Sequence, residues 1–300
     1  MTKGEFETYY NPNTIPNSRR YLDVILDAYF VMMDKTHQPV VHTAREQYAQ
    51  IILQMFFTKG LAASKYLEGL SYTHGDVSLN PIIDHTLLFI LARNLCESLT
   101  AFELIAMLPD SDEKRSIMEC LFDSSGYKYR LRLYSPEMQL VHKEQYETEQ
   151  KIVQDAKATI LKTSYYQTLP KEQQKLLRDL IKRKSYQVIL STNEVRQLSL
   201  QEALSIYVAP NGLFDNIYTY FSLMTHPSII AMNQFDQAFA KDDPEYPRLC
   251  ITAILYILSF MSMFLQEYIA IFPDAKVLFD EQSDDIQGLL KMYDYRKNKN

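Results

Sequence analysis

Four polar residues embedded in apolar segments are the best candidates for chemistry in this chain. Arg93 and Glu97 lie in one apolar run, and Ser222 and His226 lie in another more than a hundred residues later. An unpaired buried charge costs several kcal/mol or is neutralised, so a charged side chain in such a segment is usually paired or functional. These four residues are therefore the predicted catalytic residues.

Arg93 and Glu97 are four residues apart and share one face of a predicted helix with Thr86 and Thr100. A guanidinium group can donate two parallel N–H groups to a phosphate or carboxylate, while a neighbouring glutamate fixes its orientation. An internal ion pair that sets helix register explains the same pattern equally well. Both interpretations stay open.

Tyr218, Ser222 and His226 follow one another at four-residue spacing on the second candidate helix. The ordinary pKa of histidine lies near neutrality, so His226 can act as a general acid or base, with Ser222 or Tyr218 as its hydrogen-bonding companion. Alternatively, His226 satisfies backbone carbonyls where Pro227 ends the helix. A serine nucleophile is disfavoured because the chain has no Gly-x-Ser-x-Gly motif.

The standard signatures of cofactor and metal sites are absent from the sequence. There is no glycine-rich phosphate loop, no dinucleotide fingerprint and no His-Glu-x-x-His. We therefore expect neither a cofactor nor a metal ion. Cys96, Cys120 and Cys250 lack metal-ligand spacing and are typical of reduced thiols in the cytoplasm.

One basic stripe is a candidate substrate-binding surface for RNA. Segment 171–184 carries six basic and two acidic residues, and the stripe comprises Lys171, Lys175, Arg178 and Lys182. Most such stripes are simply solvated. A net charge of −6 for the whole chain argues against indiscriminate binding to nucleic acid.

The elements that must position these residues are predicted to be helices. The 300 residues include only 7 glycines, too few for a protein built on sheets with many tight turns, so the composition favours an all-α fold. We predict an irregular arm at 1–18, a single helical domain at 19–292 built as one multi-helix bundle with long central helices, and a polar tail at 293–300.

Apolar residues at three- and four-residue intervals set the predicted helix bounds. A capping box at Ser199 and Glu202 predicts one further helix start. Segments 127–134 and 186–190 alternate as strands do, but the first also suits a helix, so a small hairpin there stays open. The other predicted helices are 19–35, 44–70, 81–108, 112–123, 136–163, 171–184, 213–226, 227–240 and 245–271.

Segment Leu249–Leu265 carries no charge and is just long enough to cross a thin bilayer. Thr252 and Ser259 within it and Gln266 directly after it recur every seven residues, as expected of a helix in a protein core. We therefore expect no stable membrane insertion. The N-terminus has no apolar core of a secretory signal, and we expect a cytoplasmic protein.

Two spaced motifs resemble those of an uncharacterised prokaryotic family of helical proteins. The motifs are Asp84-x8-Arg93-x3-Glu97 and Tyr218-x3-Ser222-x3-His226-Pro227-Ser228, within residues 80–240. That family is distantly similar to the nucleotide-binding helical bundles of higher eukaryotes and prokaryotes (HEPN). Many HEPN proteins are RNases of toxin–antitoxin and phage-defence systems, so the resemblance implies a HEPN-like core and metal-independent RNase chemistry.

The chain departs from the RNase pattern in one respect. In those enzymes an arginine is followed four to six residues later by a histidine on the same helix, and no arginine here has a histidine at that spacing. Activity would require Arg93 and His226 to meet from separate helices. Fold analogy alone does not supply that geometry.

The leading prediction is thus a helical protein that binds or cleaves a nucleotide or RNA in a stress or phage-defence setting. The first alternative is a non-enzymatic interaction or structural protein, with a protein partner or a second copy of the chain. The second alternative is a membrane-associated helical protein.

Overall fold

A computed structural model describes residues 12–36, 43–183, 185–207, 216–237 and 245–294. The protein is all-α, as the composition predicted, and the described residues add only two small two-stranded sheets. The N-terminal residues of the predicted arm and the end of the predicted tail lie outside the described residues. So does Asn211-Gly212, a pair that we expect to separate the helix starting at Ser199 from the helix predicted at 213–226.

The elements follow one another along the chain in three groups. The first group is α1 (Ile15–Thr36), α2 (Ala44–Tyr66), β1 (Leu70–His74), β2 (Val77–Ile82), α3 (His85–Phe102) and a π-helix (Glu103–Met107). The second is α4 (Asp112–Leu131), α5 (Pro136–Val141), α6 (Lys143–Lys162), α7 (Ser164–Thr168), α8 (Lys171–Arg183), β3 (Val188–Leu190) and β4 (Val195–Gln197). The third is α9 (Leu200–Tyr207), α10 (Ile217–Thr225), α11 (Ile229–Gln237), α12 (Glu245–Ile271), α13 (Pro273–Asp280) and α14 (Asp284–Tyr293).

The chain forms two compact units. Unit 1 comprises Met1–Thr100 and Leu204–Asn300, and unit 2 comprises Ala101–Ala203. The prediction of one domain over 19–292 stays a prediction, because two compact units can still unfold cooperatively.

Helix α12 forms the centre of unit 1, where it packs against α1, α2, α13 and α14. Its bounds are those predicted from the sequence. The Tyr29 hydroxyl donates a buried hydrogen bond of 2.7 Å to the Met261 carbonyl and so joins α1 to α12. Ser259 is buried and donates to the Leu255 carbonyl one turn earlier, so its hydroxyl is satisfied within the helix.

Helix α4 organises unit 2 by packing on α6, on α8 and on the π-helix. Glu113 in its first turn accepts hydrogen bonds from the backbone amides of Ser164 (2.6 Å) and Tyr165 (2.9 Å). These amides belong to the first turn of α7, where a helix leaves N–H groups without partners of its own. The carboxylate therefore fixes the start of α7 against α4.

A β-hairpin interrupts the region predicted as the end of one helix and the start of the next. Strands β1 and β2 pair antiparallel, so Pro81, expected in the first turn of α3, lies in a strand. Gly69 and Gly75 have φ of +82° and +58°, a left-handed conformation that side chains disfavour. These glycines let the chain leave α2 and reverse direction, and α3 begins only at His85.

Three other predicted features differ from the structure. Helix α1 begins at Ile15, inside the predicted arm. Helix α4 continues through Gly126 to Leu131, and the predicted helix 136–163 is broken at His142.

Segments 127–134 and 186–190, whose pairing the sequence left undecided, do not form a hairpin with each other. The first segment is largely helical, and β3 pairs with β4 instead. The predicted capping box is confirmed, because Ser199 and Glu202 each accept the other's backbone amide at 3.2 and 2.7 Å.

Candidate functional site

The start of α3 is held in place by two tyrosines of unit 1. The Tyr66 hydroxyl accepts from the Asp84 amide at 2.8 Å, and the Tyr246 hydroxyl accepts from the Ile83 amide at 2.8 Å. Asp84 in turn accepts from both the amide and the hydroxyl of Thr86, at 2.9 and 2.6 Å. An aspartate in this position satisfies free N–H groups of the first turn and favours the helix dipole.

Two turns further along α3, Arg93 and Glu97 form the ion pair that their spacing predicted. The Arg93 Nε donates to Glu97 Oε1 at 2.8 Å, and the two side chains are 19% and 35% exposed. Desolvation opposes the charge on Arg93, but the hydrogen bond and charge of Glu97, together with Tyr218, raise the pKa of Arg93 above its usual value. Arg93 is thus a fixed cation at the protein surface.

Thr86 and Thr100, predicted to extend this polar face, have different surroundings. Thr86 lies at the N-terminal end of α3 and borders a cavity described below. Thr100 is buried and donates to the Cys96 carbonyl at 2.9 Å, so it is satisfied within the helix.

Helix α10 supplies the other half of the site, and its C-terminal end is set by Pro227. The residue before a proline is driven towards extended backbone, and His226 has φ −104° and ψ 154°. The helix therefore stops at Thr225, and the exposed His226 side chain projects from its end. Ser228 accepts from the Ala231 amide at 3.0 Å and begins α11.

The Arg93 guanidinium joins the two helices. Its Nη1 lies 3.1 Å from Thr225 Oγ1 and 3.1 Å from His226 Nε2, and its Nη2 donates to the Tyr218 hydroxyl at 3.2 Å. The guanidinium carbon also lies 5.0 Å from the centre of the Tyr218 ring, a cation–π distance. Arg93 and His226 therefore meet from separate helices, the arrangement that the activity implied by the resemblance would require.

Hydrogen-bond roles follow from the fact that arginine only donates. Thr225 donates its own proton to the Phe221 carbonyl at 2.8 Å, which leaves its oxygen free to accept from Arg93. His226 Nε2 must likewise act as an acceptor, so this contact selects the neutral imidazole with its proton on Nδ1. Among the described residues, four of the five N–H groups of Arg93 have partners.

Ser222, predicted as a catalytic residue, is not part of this network. Its backbone carbonyl accepts from the His226 amide at 3.1 Å, and its half-buried side chain lies on the preceding turn of α10. Two hydroxyl groups reach Arg93: that of Tyr218, which the sequence had singled out, and that of Thr225, which it had not. A threonine directly before His-Pro was the available signal, because the proline fixes where the helix ends.

A cavity of about 660 Å³ adjoins the network. Thr225 and His226 connect the two, since both contact Arg93 and both line the cavity. Asn233 and Asp236 of α11 add polar groups to a largely apolar wall. The lining residues are Thr86, Met224, Thr225, His226, Pro227, Ile229, Ala231, Met232, Asn233, Phe235 and Asp236.

The basic stripe of unit 2 forms an exposed face of α8. Lys182 lies 3.6 Å from Asp179, and Arg178 donates to the Tyr166 hydroxyl at 2.5 Å. Lys171 and Lys175 are solvent-exposed. The stripe therefore exists as a surface, and its role in binding stays a prediction.

The described residues hold no group of three His, Cys, Asp or Glu side chains placed to bind a metal ion. All three cysteines are free thiols, two of them buried. Burial raises the pKa of Cys250 to about 12 and that of Cys120 to about 11, which makes both thiols poor nucleophiles.

No family model, curated protein or solved structure matches the chain. The proposals that follow therefore depend on the geometry of the described residues and on the motif resemblance.

Proposed function

We propose that this protein binds a nucleotide, free or as part of an RNA, in the cavity beside Arg93. The observation that carries the proposal is the contact of Arg93 with Thr225 and His226, two residues of the cavity wall. A fixed cation at the edge of a mostly apolar cavity suits a ligand with one anionic and one aromatic part. A volume of about 660 Å³ is that of a small-molecule site.

Arg93 would bind the phosphate. One N–H of its Nη2 has no partner among the described residues, and a phosphate oxygen could also replace His226 Nε2 as the acceptor of an Nη1 proton. Glu97 keeps the guanidinium plane fixed, so little conformational freedom is lost on binding. A phosphate carries more negative charge than a neutral imidazole and makes the stronger acceptor.

Helix α11 would bind the base. Met232 and Phe235 offer an apolar surface, and Asn233 can both donate to and accept from the edge of a base. Asp236 accepts only, and it favours bases that present an amino group. The cavity thus combines the two kinds of contact that a nucleotide requires.

Metal-independent RNA cleavage is a second candidate, favoured by the acceptor role of His226 Nε2. Once released from Arg93, this nitrogen could take the proton of a ribose 2′-hydroxyl as the oxygen attacks the adjacent phosphorus. The bond to the 5′ oxygen would break, leaving a cyclic phosphate and a 5′-hydroxyl protonated from solvent. Arg93 would stabilise the charge that develops on the phosphate oxygens. His226→Ala should then abolish cleavage while RNA binding persists.

The alternative function is binding to a protein partner without catalysis, and the exposed apolar residues of α11 favour it. Ile229 and Met232 are 68% and 63% exposed, and neighbouring apolar side chains of this kind offer a contact surface to a protein partner. The stress or defence role remains part of the proposal and rests on the sequence resemblance. The cytoplasmic location also remains part of the proposal and rests on the three cysteines, which are typical of reduced thiols.

The test compares nucleotide binding with stability in Arg93→Gln. Adenosine and guanosine monophosphates would be titrated into the full chain by calorimetry. Hydrogen bonds to charged groups contribute about 1.5–3 kcal/mol, so we expect affinity to fall by ~10-fold or more. Lys151→Gln is the control, because it removes one exposed positive charge in unit 2.

Unfolding of the same variants separates a ligand-binding role from a structural one. Because the pair is partly exposed, we expect Arg93→Gln to cost only about 1 kcal/mol of stability. A loss of several kcal/mol, with no nucleotide bound even by the wild type, would favour the structural and interaction interpretation. Nucleotide binding unchanged by Arg93→Gln would show that the proposed site is wrong.

A further inference from the structure

Unit 2 contains a second cavity, of about 380 Å³, whose wall is rich in aromatic rings. Helix α4 contributes Phe122, Tyr127 and Tyr129, and Tyr186 follows the end of α8. The Phe122 and Tyr186 rings meet edge to face with centroids 5.0 Å apart, while Tyr129 is 57% exposed. Aromatic surface is therefore accessible at a preformed cavity, which suits a flat, aromatic ligand.

Gly126 has no side chain and therefore leaves a gap in the part of α4 that lines this cavity. A Cβ added there would meet no atom within 4 Å, and the described part of α4 does not require left-handed backbone at this position. Gly126 lies four residues after Phe122 and three before Tyr129, so the three positions share one face of α4. A larger side chain at position 126 would occupy space between the two rings.

One basic side chain lines the aromatic wall, and two more lie near it along the chain. Arg130 lines the cavity, lies 5.2 Å from the Tyr127 ring centre and donates to the buried Glu149. Lys182 and Arg183 are exposed in the last turn of α8, only four and three residues before Tyr186. The ammonium of Lys128 donates to the Ile181 carbonyl and so holds the end of α8 against α4.

The charge of unit 2 differs from that of the rest of the chain. Residues 101–203 contain sixteen Lys and Arg against fifteen Asp and Glu, whereas the whole chain has 31 against 37. The net negative charge thus lies in unit 1, where 22 acidic residues face only 15 basic ones. An anionic polymer would be repelled least at unit 2.

We propose that this cavity binds one base of a single-stranded nucleic acid, with the flanking phosphates on Arg130, Lys182 and Arg183. A base can stack on the accessible rings whatever its sequence, and the basic side chains follow the backbone. Asp123 also lines the cavity and, as a carboxylate, accepts from the amino group of a base. The proposal uses no residue of the Arg93 site and does not rest on the proposed function.

The test blocks the cavity without removing a packed side chain. A fluorescein-labelled single-stranded RNA would be titrated with the full chain and binding followed by fluorescence anisotropy. Gly126→Leu fills the gap between the rings, and we expect it to weaken binding at least ~10-fold. Gly126→Ala is the matched control, because its methyl group meets open space, and its affinity should stay close to that of the wild type.

A second variant and a second probe guard against an indirect effect. Tyr129→Ala removes an exposed ring that the fold does not need for its core, and it should weaken RNA binding in the same way. The same RNA annealed into a duplex should bind more weakly, since its bases are no longer free to stack. Thermal unfolding should show that both variants are folded.

Two results would overturn the proposal: RNA affinity unchanged in both Gly126→Leu and Tyr129→Ala, or duplex bound as tightly as single strand. Each proposal can fail alone, because mononucleotide binding in Arg93→Gln reports on the first cavity and RNA binding in Gly126→Leu on the second. An RNA whose affinity falls only in Arg93→Gln would assign nucleic-acid binding to unit 1 instead.

Discussion

At the scale of single residues, Arg93 shows how one side chain can join distant parts of the sequence. Its guanidinium contacts residues 125 to 133 positions away as well as Glu97 on its own helix. Each contact uses a separate N–H group, so the planar geometry fixes all partners at once. A lysine could not reproduce this arrangement because its ammonium presents its donors from one point.

His85 is the second residue whose surroundings are unusual. It is fully buried at the start of α3, its ring lies edge to face with those of Phe89 and Tyr246, and neither ring nitrogen has a hydrogen-bond partner among the described residues. Burial lowers the pKa of His85 below its usual value, and the nearby charge of Asp84 only partly opposes this. His85 is therefore held as a neutral imidazole.

Stability should consequently fall on acidification. Above a pH of about 6.5 the imidazole is neutral in both the folded and unfolded chain, so His85 causes no pH dependence. As the pH drops through that value, the unfolded chain takes up the proton first, and stability falls until the lower pKa of the folded state is reached. His85→Phe should remove this dependence of stability on pH. Because the phenyl ring also replaces two buried nitrogens that lack hydrogen-bond partners among the described residues, the variant should be more stable than the wild type by ~1 kcal/mol at pH 7.

Urea unfolding at pH 7 and pH 5 would measure both effects, with the exposed His142→Gln as control. A His85→Phe variant that keeps the acid-side loss of the wild type, or that loses several kcal/mol at pH 7, would contradict this account.

At the scale of elements, α4 is where local sequence signals and the structure differ most. Ser124, Ser125 and Gly126 are typical of a helix end, yet the helix continues to Leu131. Ser124 is buried and donates to the Leu121 carbonyl at 3.2 Å, so its hydroxyl does not compete for the backbone elsewhere. The free energy gained when α4 packs on α6 and α8 is larger than the ~1 kcal/mol that a glycine costs inside a helix relative to alanine.

Two helical glycines give a matched prediction at this scale. Gly126→Ala should stabilise the protein by about 0.5–1 kcal/mol, because alanine favours helix and the added methyl meets open space. Gly60→Ala should instead be destabilising by ~1 kcal/mol or more. Its Cβ would lie 2.7 Å from Met261 Cε and 2.8 Å from Sδ, in a side chain that is itself buried.

Urea denaturation of the two variants would provide the comparison. Equal stabilisation by both substitutions would mean that Met261 moves aside without cost and that α2 and α12 pack less tightly than the distances indicate.

At the scale of the whole molecule, α12 could in principle be either a core helix or a membrane span. Among the described residues, Tyr246–Ile271 is the one helix long and apolar enough to cross a bilayer, and 67% of its most apolar window is buried within the protein. The same length and composition are found in core helices. Its contacts with α1 and α2 and the buried bond from Tyr29 favour the core role.

We therefore expect the protein to be recovered in the soluble fraction of a cell lysate without detergent. Exposing α12 to lipid would require breaking its contacts with four neighbouring helices. Ultracentrifugation followed by a high-salt wash of the pellet measures the distribution. Recovery in the washed pellet would make the membrane-associated alternative the leading one.

The sequence by itself determined the features that depend on local geometry. The bounds of α12, the capping box at Ser199 and the pairing of Arg93 with Glu97 all follow from the fixed spacing of residues along a helix. Pro227 likewise ends α10 through a steric effect on its neighbour. Such contacts lie within a few residues, so their distances hardly depend on the rest of the fold.

Only the tertiary structure decided which helix faces meet. It brought α10 to Arg93, placed the hydroxyl of Thr225 rather than that of Ser222 beside the guanidinium, and formed the cavity along α11. It also extended α4 through Gly126 and left an aromatic cavity beside that glycine. These outcomes depend on the free energy of burying many side chains together in the core. That free energy is larger than the helix or turn preference of any single residue, and residue spacing along the chain does not predict it.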